Sequence, residues 1–163
     1  MIHLRALLPL VACIAATFLT SCASGPDHTW VDERFEARTE THLRQVIYRA
    51  LDAGDYAANV VDSDPSKRRI ETGWKVDLSP FKNQGWRKKA HVEYGPAADE
   101  AGERVNGEWD VKVRVEMERN ASFRGTEIQY ADWEAIPDDE AGARFIVLQM
   151  RALLGGGDFR VEG

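Results

Sequence analysis

Three segments in the middle of the chain alternate apolar and polar residues with a period of two. In "RIETGWKVDL", Ile70, Thr72, Trp74, Val76 and Leu78 alternate with Arg69, Glu71, Gly73, Lys75 and Asp77. In "WRKKAHVEY", Trp86, Ala90, Val92 and Tyr94 alternate with Arg87, Lys89, His91 and Glu93, and Lys88 interrupts the apolar side. In "WDVKVRVEM", Trp109, Val111, Val113, Val115 and Met117 alternate with Asp110, Lys112, Arg114 and Glu116. Successive strand side chains point to opposite faces, so each segment predicts a strand with one buried and one wet face. The linkers "SPFKNQG" and "GPAADEAGERVNGE" are rich in Pro and Gly, which predicts antiparallel neighbours. Weaker patterns predict a short strand over 56–61, turning through "DSDPSK" to pair with 69–78. Ile128 and Tyr130 suit a short strand, or an ordered loop in which Trp133 plugs the core edge.

Helical spacing brackets these strands. Leu43, Val46, Ile47, Ala50 and Leu51 recur at i, i+3, i+4, i+7 and i+8, and Gly54 follows as a stop. With Asp32 as N-cap and Glu33 and Glu36 in a first turn, the predicted helix runs over 33–53. Near the other end, Pro137 and three acids, Asp138 to Glu140, suit a helix start. Ala141, Phe145, Leu148, Ala152 and Leu153 then form the expected core-facing stripe, and "GGG" at 155–157 ends it. The tail "DFRVEG" reads as an edge strand or a loose end. Two amphipathic helices and one half-apolar sheet predict a two-layer α+β domain. Its antiparallel sheet would have three to five strands, with both helices packed on one face.

The first residues follow another logic. Arg5 precedes a short apolar run, Leu7 to Leu19, which ends in "Leu19-Thr20-Ser21-Cys22". The run is shorter than the ~20 residues that a bilayer span needs. Charge, apolar run and small residues in this order read as a secretory signal peptide. The ending resembles the lipobox of bacterial lipoproteins. That resemblance implies cleavage before Cys22, acylation of Cys22, and a membrane partner held through lipid. Residues 1–21 would be the removed signal, 22–31 a lipidated tether and 32–163 the single domain. The chain has two cysteines; Cys13 would leave with the signal and Cys22 would carry lipid, so cysteine chemistry is not expected. By the same resemblance, Ala23 after the cysteine favours the outer membrane, facing the periplasm.

Chemistry elsewhere is sparse. "LLGGGD" follows a helix instead of opening one, so it is no phosphate loop. His28, His42 and His91 lack metal-ligand spacing and are expected at or near the surface. No catalytic residue, metal or cofactor is expected. Paired acids such as Glu116 and Glu118 leave an acid-based hydrolase as a third reading. The formal net charge of −6 argues against a nucleic-acid partner. Yet 67–124 is basic between two acidic ends. Arg69, Lys75, Arg87, Lys89, Lys112 and Arg114 could gather on the open sheet face and meet an envelope protein or anionic lipid. The plainer expectation is a solvated face of cross-strand ion pairs with Glu71, Asp77, Glu93, Asp110 and Glu116. Trp74, Trp86 and Trp109 are expected in the core, or else around an apolar groove.

The segment "GDYAANVVDSDPSKRRIETGW" after the first helix resembles the start of small envelope-lipoprotein domains. An example is the helix-grip domain of the lipoprotein component C of the outer-membrane β-barrel assembly machinery. This implies a scaffold or interaction role and carries over no catalytic residue. The expectation is a lipid-anchored envelope protein with a non-enzymatic binding or scaffolding role. The alternative is a periplasmic carrier of a lipid-like or other apolar ligand. The sequence leaves the oligomeric state open.

Overall fold

The computed structural model describes residues 28–56, 60–64, 66–79, 84–121 and 131–155. The signal segment, Cys22, Ile128, Tyr130 and the tail after 155 lie outside the described residues, as does the Leu78 side chain. The element order is β1 (Val31–Glu36), α1 (Glu40–Ala53), β2 (Val60–Asp64), β3 (Arg69–Thr72), β4 (Lys75–Ser79), β5 (Gln84–Ala98), β6 (Arg104–Asn120), β7 (Trp133–Ile136) and α2 (Glu140–Gly155). The class is α+β, and the single antiparallel sheet has seven strands among the described residues, more than expected.

The spine is the long hairpin β5–β6, paired from Trp86–Arg119 to Ala98–Arg104. Its turn is built by Asp99, whose carboxylate accepts from the backbone N–H groups of Ala101 (2.9 Å) and Glu103 (2.8 Å). Gly102 there sits at φ 81°, a conformation that costs little only without a Cβ. Each long strand then carries two short strands end to end on its outer edge. β6 pairs β1 near the turn and β7 at its far end. β5 pairs β3, then β4, and β3 pairs β2. Between the short strands the ladder has a gap, and a different group fills it on each side. The Asp139 N–H donates to the Val115 carbonyl at 2.8 Å. The Ala90 N–H donates to Thr72 Oγ1 at 3.0 Å. Buried backbone groups need partners, so these two bonds keep the split edges continuous.

The start of the chain corrects the expected first helix. Residues 31–36 form strand β1, and α1 begins only after Thr39, whose Oγ1 accepts from the His42 N–H at 3.1 Å. Acids at 32, 33 and 36 suit a helix start locally, but the open edge of β6 offers a full ladder instead. Joining it buries Phe35 at 5% exposure. The stripe Leu43, Val46, Ile47, Ala50 and Leu51 is buried as expected.

A second correction concerns α2. The residues facing the core are Ala143, Ile146, Val147 and Met150. Ala141, Phe145, Leu148 and Ala152 of the expected stripe do share one side of the helix, but that side faces out: Phe145 is 42% and Leu148 54% exposed, and Ala141 and Ala152 are exposed as well, while Leu153, 39% exposed, lies apart on the flank. The helix is apolar on both sides, so periodicity alone could not choose which side packs.

A third correction lies in "RIETGWKVDL". Ile70 pairs with Val92, but Lys75 pairs with Lys88, so the register steps by one residue at Gly73–Trp74. A one-residue step moves every later side chain to the opposite face. Val76 therefore shares the polar face with Arg87, while Lys75 shares the helix side with Lys88. Both helices pack on the apolar face of the sheet, where Ala90, Val92, Tyr94, Trp109, Val111, Val113 and Val115 close one core with them.

Candidate interaction face

The sheet face away from the helices collects five of the six basic residues expected there, together with their acids. Arg69 and Lys89 both reach Glu71, at 3.1 and 3.0 Å. Arg87 Nε donates to Glu118 at 2.6 Å. Lys112 lies 3.6 Å from Asp32, and Arg114 grips Asp138 at 2.7 and 3.2 Å. Lys75 is the exception. Its ammonium sits on the helix side, 3.1 Å from Asp55 Oδ2 and 3.3 Å from the Gly54 carbonyl, over the Tyr56 ring. The face is thus a lattice of ion pairs, in which three of these bases reach across strands (Lys89–Glu71, Arg87–Glu118 and Lys112–Asp32), and of the acids expected to neutralise these bases only Glu71 does so among the described residues.

His91 is more buried than expected, at 6% exposure. It lies in the middle of this lattice, with Nε2 2.9 Å from Glu116 and Nδ1 3.5 Å from Glu71. Burial works to raise the Glu71 carboxyl, but the Lys89 hydrogen bond and the charges of Lys89, His91 and Arg69 outweigh it. The carboxyl is held below its ordinary range. Glu71 and Glu116 do converge on His91, yet each acid already has a cation or imidazole beside it. His42 and His28 are exposed.

The tryptophans separate. Trp109 is core, 3% exposed, with Nε1 donating to the Ala37 carbonyl at 3.0 Å. Trp86 is half-buried on the helix side, with the Lys88 ammonium 4.5 Å from its ring centre. Trp74 is corrected to the opposite, polar face by the register step. There its ring stands 4.3 Å from the Arg87 guanidinium, and Trp133 lies on the same cation at 4.7 Å. Arg87 is therefore held by two rings and one carboxylate, with Lys89 also 4.7 Å from Trp74. Trp133 is corrected as well: expected as a plug of the core edge in a loop, it opens strand β7 and its ring lies on the polar face, because pairing with Asn120 turns it toward Arg87.

Among the described residues, the cavities are surface grooves. One of about 500 Å³ lies on the polar face between Arg69, Glu93, Gly95, Asp110 and Lys112. Another of about 520 Å³ passes Trp86, Met117 and Glu134. The three tryptophans do not share one groove. No helix of the described residues is long and apolar enough to cross a membrane. Compared with protein-family models and with curated proteins, the chain matches none.

Proposed function

We propose that this chain is a lipid-anchored envelope protein, exported and held in the outer membrane by acylated Cys22, a placement that Ala23 favours. Its α+β domain acts as a non-enzymatic binding or scaffolding module, with the polar sheet face as the contact surface for an envelope protein. One observation carries this reading: the apolar side of the sheet is filled by its own helices, while the opposite side keeps a broad, ordered array of charges around the Arg87 clamp. Complementary charge is a means of selecting a partner and fixing its orientation. The carrier alternative draws no support from the tryptophans, which lie in three different places.

The test uses a photo-crosslinking amino acid placed at Lys112 or Glu93 on the polar face, and at Arg49 on α1 as control, in intact cells. One recurrent envelope protein captured from the sheet positions and not from Arg49 is the expected result. Equal or absent capture from all three positions would sink the reading. Mass spectrometry of the N-terminal peptide checks the anchor separately, since an unmodified Cys22 is incompatible with it.

A further inference from the structure

Among the described residues, the outward stripe of α2 has no partner. Ala141, Phe145, Leu148 and Ala152 lie on one side of the helix, 180° from the buried Ala143, Ile146, Val147 and Met150 at about 100° per residue. Leu153, 39% exposed, lies on the flank about 110° round the helix from them. Arg144 and Arg151 flank the stripe along one rim, exposed but paired to Glu140 and Glu33. An apolar stripe with basic side chains at its border is the composition of helices that lie in a membrane interface.

The position of the tether points to the same occupant. Thr29 donates its backbone N–H to Asp138 at 2.8 Å, so the chain enters the domain beside the N-terminus of α2. Cys22 is six residues before His28, and even a fully extended stretch of that length reaches at most about 22 Å. α2 itself is about 24 Å long. Lipid on Cys22 would thus keep the bilayer surface within about one helix length of this stripe. We infer that the Phe145–Leu148 face of α2 seats in the phospholipid interface next to the anchor. This rests on the lipid-anchor reading for its placement. It also gives the domain an orientation: the sheet separates α2 from the polar face, so the Arg87 clamp points away from the membrane, toward a partner.

The test uses the full chain as processed by a bacterial host, reconstituted in phosphatidylethanolamine–phosphatidylglycerol vesicles that contain a phospholipid with a diazirine in its acyl chain. After irradiation, trypsin releases Phe145–Arg151 from α2 and Ile70–Lys75, which presents Glu71 and Trp74 on the polar face. Lipid adducts about tenfold more abundant on the first peptide are expected, and Phe145→Gln with Leu148→Gln should remove most of them. Leu148→Gln alone replaces the double variant if that fails to fold. Adducts equal on both peptides, or absent from Phe145–Arg151 while Cys22 is acylated, overturn the inference and leave the anchor standing. An unmodified Cys22 with adducts still concentrated on Phe145–Arg151 rejects the anchor and keeps the lipid-facing helix. An unmodified Cys22 without such adducts overturns both.

Discussion

Arg114 on β6 holds Asp138, just before α2, through two hydrogen bonds of 2.7 and 3.2 Å, and the Asp138 side chain is only 3% exposed. The same carboxylate accepts the Thr29 N–H at 2.8 Å. One acid thus joins the entry of the chain, the centre of the sheet and the start of α2. Asp138→Ala strands a largely buried guanidinium, which costs about 3–5 kcal/mol. Urea unfolding should show a lower midpoint with unchanged slope. Adding Arg114→Met should recover part of the loss, because the remaining charge is then gone.

Thr72 is a backbone substitute. Its hydroxyl accepts the Ala90 N–H at 3.0 Å where the ladder between β3 and β4 is interrupted, and the residue is 1% exposed. Thr72→Val keeps the shape and removes the acceptor. The loss expected is about 1–3 kcal/mol, the cost of a buried donor left unpaired. Faster amide hydrogen exchange at Ala90 would accompany it, and unchanged protection there would contradict the role assigned to Thr72.

Acid weakens the fold through two carboxylates. Burial raises Asp139, but the Lys88 hydrogen bond, the Gly142 N–H and the Lys88 charge outweigh it and lower its pKa, as Lys89 and its neighbours lower that of Glu71. The unfolded chain therefore takes up these protons first as pH falls. Stability from the two groups is complete above about pH 5 and is lost as pH drops through their lowered folded values. A thermal midpoint that falls below pH 5, with a shallower fall in Lys88→Met and Lys89→Met, is the expected profile. Tyr56 acts at the other extreme. Burial, with the Asp139 charge, pushes its phenol up to about 12. Its neutral form is thus favoured in the fold, and that contribution disappears between about pH 10 and 12. Absorbance titration should show a late-ionising tyrosine that Tyr56→Phe removes.

Arg87 should not tolerate lysine. Its planar guanidinium stacks at 4.3 Å on Trp74 and 4.7 Å on Trp133 while bonding Glu118 at 2.6 Å. Lysine offers a point charge without the plane. Arg87→Lys is expected to cost about 1–2 kcal/mol, and a double-mutant cycle with Trp74→Ala should give a coupling of about 0.5–1 kcal/mol. Additive single changes would mean that the stacking contributes nothing.

The two sides of α2 should respond differently. Met150→Ala on the buried side opens a cavity and costs about 2–5 kcal/mol. Leu148→Gln on the exposed side should stay within about 0.5 kcal/mol in solution. Equilibrium unfolding of the two variants, without lipid, separates them.

Much of the framework was legible because it depends on local repetition. The alternation in "WDVKVRVEM" marked β6 with its buried side, and the spacing from Leu43 to Leu51 marked the core face of α1. Five of the six basic residues were legible as sharing a face, but of the acids that pair with them only Glu71 was foreseen; Glu118, Asp32 and Asp138 were not. Trp109 was legible as a core residue. What failed in each case was a choice between two locally acceptable answers. Residues 31–36 could start a helix or pair with an edge, and the edge of β6 decided it. Trp74 and Lys75 follow an unbroken alternation in the sequence, yet the step at Gly73–Trp74 exchanged their faces.

The sequence by itself determined the types of the central strands and of both helices, the two-layer class and the apolar side of β5 and β6, because the period of a side-chain pattern is a property of the chain alone. Only the tertiary structure decided which side of α2 packs, where the ladders break, and that Trp133 and Trp74 meet on Arg87. These are relations between segments distant in the chain. They are set by the space and the unpaired backbone groups that other elements leave, and neither quantity is written in any one segment.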